Sequence, residues 1–117
     1  DILLFSVGHF ADNTTSAVYR SEYLNEKDYA EMHQQQVVGD IANVMLRADG
    51  NFADLPINQR GCGPDLTLFH RVDRAICVLS GHHKLAGLQA ALAGRFLTEL
   101  IIDEPSARQL VKRFSNA

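Results

Sequence analysis

A chain of 117 residues, 46% hydrophobic and 21% charged, has a soluble globular composition with room for one core and not two. Its net charge is -3 and its eleven lysines and arginines are scattered from Arg20 to Arg113, which excludes the basic footprint of a chain that itself tracks nucleic-acid phosphates. No apolar stretch approaches the roughly 20 residues of a membrane helix, and no charged-then-apolar signal segment opens the chain.

Asp1 leads directly into Ile2-Leu3-Leu4-Phe5-Ser6-Val7-Gly8, the near-continuous apolar run of a strand buried on both faces. Such a strand is a poor terminus, so the chain is expected to start inside a larger domain. Ala11 to Ser16 is a polar loop and Val18 to Leu24 is ambiguous. Asn25 is placed to cap a helix with acidic residues in its first turn, running through Tyr29, Met32 and His33 to Gln34-Gln35-Gln36, with an exposed look. Val37 to Leu46 reads as one strand, and Asp49-Gly50-Asn51 is a turn signal. Phe52 to Pro64 is expected to be extended edge and loop. Asp65 caps a short helix carrying Leu66, Leu68 and Phe69, and Arg74 to Leu79 is a second buried strand. A helix then carries Leu85, Leu88 and Leu92 at i, i+3 and i+7, with Gly94 at its C-terminal cap. Phe96 to Ile102 is a further strand. Asp103 caps a last helix, with Pro105 in its first turn and Ala107, Leu110, Val111 and Phe114 on one face. Strand, helix, strand, helix at these intervals predicts an α/β domain of βαβ units with a largely parallel sheet.

In an open parallel sheet, ligands sit beyond the carboxyl ends of the strands, where Gly8, Gly81 and Asp103 fall. The handover Ser80-Gly81-His82-His83-Lys84 joins a strand to a helix N-terminus, whose partial positive charge and unpaired N–H groups favour an anion. A cation at Lys84 opposes that dipole by about 0.3 to 1 kcal/mol and points to a compensating anion; the plain alternative is a solvated lysine. Asp40, on a strand face with Ala42, Val44 and Leu46, needs either a partner, a polar cleft or a bond to local backbone. His82 and His83 are adjacent and so point apart, without a metal-binding spacing, which favours ligand hydrogen bonding or plain surface roles over a metal. The two cysteines, Cys62 in Gly61-Cys62-Gly63 and Cys77 in a strand, have neither metal spacing nor the density of a disulfide scaffold. A reducing, cytoplasmic setting fits them, and no cofactor is called for.

The Asp1–Gly8 strand, Tyr19-Arg20-Ser21, Val38-Gly39-Asp40-Ile41, the Asp49-Gly50 turn, Ser80-Gly81-His82-His83-Lys84 with Ala90-Ala91-Leu92, and Leu100-Ile101-Ile102-Asp103-Glu104 with Ala107 stand in an order that resembles the C-terminal half of the sugar-binding domain of SorC-type bacterial transcriptional regulators. The resemblance covers nearly all of residues 1–117. It implies a Rossmann-like fold related to phosphosugar isomerases and deaminases, used to sense a phosphorylated sugar or related small molecule without turnover. It also implies a helix-turn-helix and a phosphate loop upstream, operator DNA bound through that missing part, and assembly as a homodimer or homotetramer. Asp40 and Lys84 match effector-pocket positions, with Arg20 close by. The chain departs from the pattern at Ser80, where the family commonly has a second glycine in the turn, and at His9, where it usually has another. An enzyme of the same fold, a phosphosugar isomerase or deaminase with Asp40 as base and a histidine as acid, is the alternative.

Overall fold

The structure, a computed structural model, describes residues 1–10 and 24–115; Arg20 and the rest of the Tyr19-Arg20-Ser21 segment lie outside the described residues. In chain order the regular elements are β1 (Ile2–Phe5), β2 (Gly8–His9), α1 (Glu26–Gln34), β3 (Val37–Ile41), β4 (Val44–Arg47), β5 (Arg74–Leu79), α2 (Leu85–Ala93), β6 (Glu99–Ile102) and α3 (Glu104–Ser115). Three 3-10 turns, Pro56–Arg60, Leu66–His70 and His82–Lys84, join them.

The strands form two three-stranded sheets. One is parallel, in the order β1-β5-β6, and the other antiparallel, in the order β2-β3-β4. Parallel pairing therefore holds for the first sheet, where β5, α2 and β6 make a βαβ unit, and not for the second. Two breaks invisible in the apolar pattern cause the split. The opening run changes sheets at Ser6-Val7, so that Phe5 pairs with Cys77 while Gly8 pairs with Asp40. The Val37–Leu46 run, expected as one strand, turns back on itself at Ala42-Asn43, where both residues have positive φ (51° and 68°). A two-residue loop with that geometry is a type I′ hairpin turn, closed here by Ile41 opposite Val44. Asp40 consequently faces Met45 across the ladder and does not share a strand face with Val44 and Leu46.

Helix α2 holds the sheets together. Leu85, Leu88, Ala90 and Ala91 are buried with Val7, Ile41, Leu46, Cys77, Leu79, Phe96 and Leu110 in the main core. The approach is close because Gly87 meets the β2-β3 pair backbone to backbone: a Cβ there would sit 3.0 Å from the Gly8 carbonyl and 2.5 Å from Val7. Phe69 and Phe96 meet edge to face, and His70 stacks on Phe96 while bonding the Gly94 carbonyl at 2.8 Å. Gly94 caps α2 without the left-handed conformation, which passes to Arg95 (φ 58°). What Gly94 supplies is room for the Phe96 ring.

A smaller core of Phe10, Met32, Val37, Met45, Leu55 and Ile57 lies under α1, so this helix is less exposed than its sequence reads. Phe52 to Pro64 is not an extended edge: Leu55 and Ile57 are buried, and Asn58 bonds both the N–H (2.7 Å) and the carbonyl (3.1 Å) of Met45, acting as one more rung beside β4. Asn25 caps α1 as expected, in a reciprocal box with Asp28. The buried Asp28 carboxylate also takes Arg60 at 2.6 Å, and the hydrogen bond from Arg60, followed by the backbone bond at Asn25, holds it below the usual carboxylate range. A carboxylate depressed on folding contributes stability above its unfolded pKa and loses it as pH falls through the folded value. Wild-type protein is therefore expected to lose more stability than Asp28→Asn on acidification from neutral to about pH 3. Equal losses in denaturant titrations at the two pH values would show that this pair does not set acid stability.

The parallel sheet is covered on one side. Leu3, Phe5, Ala75, Cys77, Leu79, Leu100 and Ile102 turn toward the core, while on the other face Ile2 (60%), Leu4 (72%) and Ile101 (58%) are exposed and Val78 is partly so. Val111 and Phe114, expected on the packed face of the last helix, are also exposed, and Leu110 carries most of its contact with the core.

Candidate functional site

The carboxyl ends of the three parallel strands converge. Ser6 follows β1, Ser80 follows β5 and Asp103 follows β6, and together with Lys84, Val78, Leu79, Ile101 and Ile102 they line an open groove of about 560 Å³. That volume lies within the range of small-molecule sites. Lys84 is thus where the sequence reading put it, at the mouth of the parallel sheet, and among the described residues no carboxylate forms an ion pair with it. Its charge is felt by Cys77 below: burial pushes that thiol up to about 11, and Lys84 draws it the other way. A thiol so high is not a nucleophile at neutral pH.

Gly81 is held in a conformation (φ 115°, ψ 135°) that side-chain-bearing residues rarely adopt. Its N–H donates to the Ser106 hydroxyl oxygen at 3.0 Å, and its carbonyl accepts the Lys84 N–H at 3.2 Å. Ser106 is fully buried and in turn donates its own N–H to Asp103 Oδ2 at 3.1 Å. The handover loop is therefore pinned to the start of α3. This alters the anion-site expectation, because the Gly81 amide is already committed to Ser106. The amides left for a ligand are those of the first turn after it.

The two adjacent histidines do diverge. His82 borders a separate hollow on the outer side of α3 with Glu104, Pro105, Arg108 and Val111. The His83 ring lies over Gly81, where a Cβ would meet it at 2.6 Å, and meets His9 edge to face with centroids 5.5 Å apart. Burial, and then the neighbouring His83, hold His9 below the usual histidine value, and its Nδ1 is buried with no hydrogen-bond partner. The sequence marked His9 as a departure from a glycine and not as a neighbour of His83. Its contact with a residue 74 positions away (83 minus 9) carries no local signal.

Asp40 does not line the groove. It is 6% exposed, its carboxylate lies over Gly8 so closely that a Cβ on Gly8 would collide with it, and Oδ2 accepts the Asn43 N–H at 3.1 Å. The local-backbone alternative describes this bond, which closes the hairpin turn. Among the described residues no group of three or more His, Cys, Asp or Glu side chains is suited to hold a metal ion, and no helix is long and apolar enough to cross a membrane.

An α/β domain with an open groove at the carboxyl ends of its parallel strands has the layout in which proteins of this class hold small ligands. More particularly, residues 1–112 match the family described as "Putative sugar-binding domain", and the chain belongs to that family. It is 36% identical over 111 residues to the deoxyribonucleoside regulator of Bacillus subtilis (strain 168), an alignment covering 95% of this chain and 34% of that protein. The crystal structure of a domain of a possible sugar-binding transcriptional regulator from Arthrobacter aurescens TC1 is 42% identical with a TM-score of 0.84, covering 94% of this chain and 41% of that one. The full-length sorbitol operon regulator SorC from Klebsiella pneumoniae shares the fold at 21% identity and a TM-score of 0.80, with 95% and 35% covered. These relatives are named as transcriptional regulators and none as an enzyme. The chain spans about a third of the length of the curated relatives it matches.

Proposed function

We propose that residues 1–117 are the effector-sensing part of a sugar-responsive transcriptional regulator. In this reading they form the C-terminal half of a Rossmann-like sugar-binding domain, completed by a preceding half that carries a phosphate loop. The effector is a phosphorylated sugar or related carbohydrate, bound without turnover. Its occupancy is passed to a DNA-binding helix-turn-helix elsewhere in a longer, cytoplasmic protein that works as a homodimer or homotetramer. The observation that carries the reading is the groove at the strand ends with Lys84 in it, in a chain of the sugar-binding-domain family. Lys84 supplies the charged contact in the groove, and Gly81, His82, His83, Asp40 and Arg20 are the further residues proposed to contact the effector.

The 36% identity to a deoxyribonucleoside regulator puts pentose and deoxypentose compounds among the probes. Ribose 5-phosphate, 2-deoxyribose 5-phosphate, fructose 6-phosphate, glucitol 6-phosphate and a free deoxyribonucleoside are to be tested on the full-length protein by thermal shift. A true effector at 100 times its dissociation constant stabilises the native state by about 2.7 kcal/mol, which moves the melting temperature by several degrees. A flat response to the whole panel, or steady product release from any sugar phosphate, would sink the reading.

A further inference from the structure

The groove has a second charged residue, Asp103, that the sequence reading did not name as a ligand contact. Asp103 was read as lying at a strand's carboxyl end and as the cap of the last helix, and Oδ2 does serve the second purpose by accepting the Ser106 N–H. Oδ1 is different: it is buried without a hydrogen-bond partner, on a residue that lines the groove with Ser6, Ser80 and Lys84. An ionised carboxylate is an acceptor only, so a buried oxygen of this kind is costly until a donor reaches it. Hydrogen bonding from Ser106, with the Ser80 hydroxyl beside it, keeps Asp103 below the usual carboxylate range. The acceptor is therefore charged at neutral pH.

Two features decide what that donor belongs to. The Gly81 amide, the group best placed to receive an anion at the turn, is taken by Ser106. Lys84 and Asp103 line the same groove, which therefore carries both signs of charge. A phosphate dianion meets repulsion from Asp103 and finds the turn's leading amide occupied. Sugar hydroxyls meet an unpartnered acceptor, and sugar oxygens meet Lys84 and the two serine hydroxyls. We infer that Asp103 is an effector-binding residue whose Oδ1 accepts a sugar hydroxyl, and that the groove between Ser6, Ser80, Lys84 and Asp103 takes the uncharged, hydroxyl-bearing end of the ligand. The phosphate lies outside it. This deepens the proposed function and rests on it.

The test titrates the tightest-binding sugar phosphate of the panel, and separately inorganic phosphate, into full-length wild type, Asp103→Asn and Asp103→Ser by calorimetry. Asn and Ser are N-caps of the same rank as Asp, so the unliganded melting temperatures should stay close to wild type. The sugar phosphate is expected to bind at least about tenfold more weakly to both variants, the loss of one charged hydrogen bond, while inorganic phosphate binding is unchanged. Unaltered affinity in the variants overturns the inference alone. Tighter sugar-phosphate binding by Asp103→Asn also overturns it, because it would mean that the carboxylate had been repelling a phosphate in the groove. If both variants unfold, the wild-type complex decides: a sugar hydroxyl within about 3 Å of Oδ1 upholds the assignment and a phosphate oxygen or water there refutes it. Failure of every panel member to bind wild type is a different result, which removes the effector reading itself.

Discussion

Lys84→Ala is expected to weaken effector binding by tenfold or more while leaving the unliganded protein as stable as wild type or slightly more so. The ammonium lines the groove without an ion-pair partner among the described residues, so truncation removes a charge-assisted contact of about 1.5 to 3 kcal/mol only when ligand is present. At that scale the dissociation constant rises at least tenfold. In the free protein the substitution takes a cation from the positive end of a helix and replaces it with the best helix former. Affinity and stability therefore move in opposite directions. Isothermal titration and thermal unfolding of the same variant check both. A variant that melts several degrees lower without ligand but keeps its full ligand-induced shift would show that Lys84 holds the fold and does not read the effector.

The second large effect concerns the uncovered side of the parallel sheet. A polypeptide of residues 1–117 alone is expected to self-associate reversibly. Ile2, Leu4, Val78 and Ile101 expose an apolar face on a sheet type that is almost always covered on both sides. The outer strands β1 and β6 also have no further strand beside them among the described residues. Fully burying each such side chain contributes about 1.5 to 3 kcal/mol, so even partial cover by a second copy outweighs a modest loss of freedom. Sedimentation velocity should show association that grows with concentration, and Leu4→Lys with Ile101→Lys should reduce it. The same double variant in the longer protein is expected to destabilise the domain, because there the proposed first half occupies this face. A monodisperse 117-residue monomer with a cooperative melting transition would show that the face needs no cover.

Much of the local chemistry was legible in the residues. Asn25 and Asp65 cap where they were read to cap, Asp49-Gly50-Asn51 turns, Arg74 to Leu79 is a strand buried on its core side, and Lys84 stands at the carboxyl end of the parallel sheet. These follow from preferences decided within a few residues: a side-chain oxygen meeting a free N–H, a glycine permitting a positive φ, apolar spacing matching a helix turn. The hairpin at Ala42-Asn43 escaped notice because it uses neither glycine nor proline. Alanine at positive φ is tolerated only because the Ile41–Val44 pairing and the Asp40–Asn43 bond close around it. Asp40 was singled out as a carboxylate needing an explanation, yet its strand face and its neighbours changed when the strand folded back.

By itself, then, the sequence determined the α/β alternation, the caps and the place where a strand hands over to a helix beside Lys84. Only the tertiary structure decided that the strands divide into two sheets, that His9 reaches His83, that Ser106 claims the Gly81 amide and that Asp103, with one carboxylate oxygen unbonded, lines the same groove as the lysine. Each of these joins residues far apart in the chain. Such pairings are fixed by the competition of whole sheets and helices for burial and hydrogen bonds, and no single segment carries that free energy in its own composition.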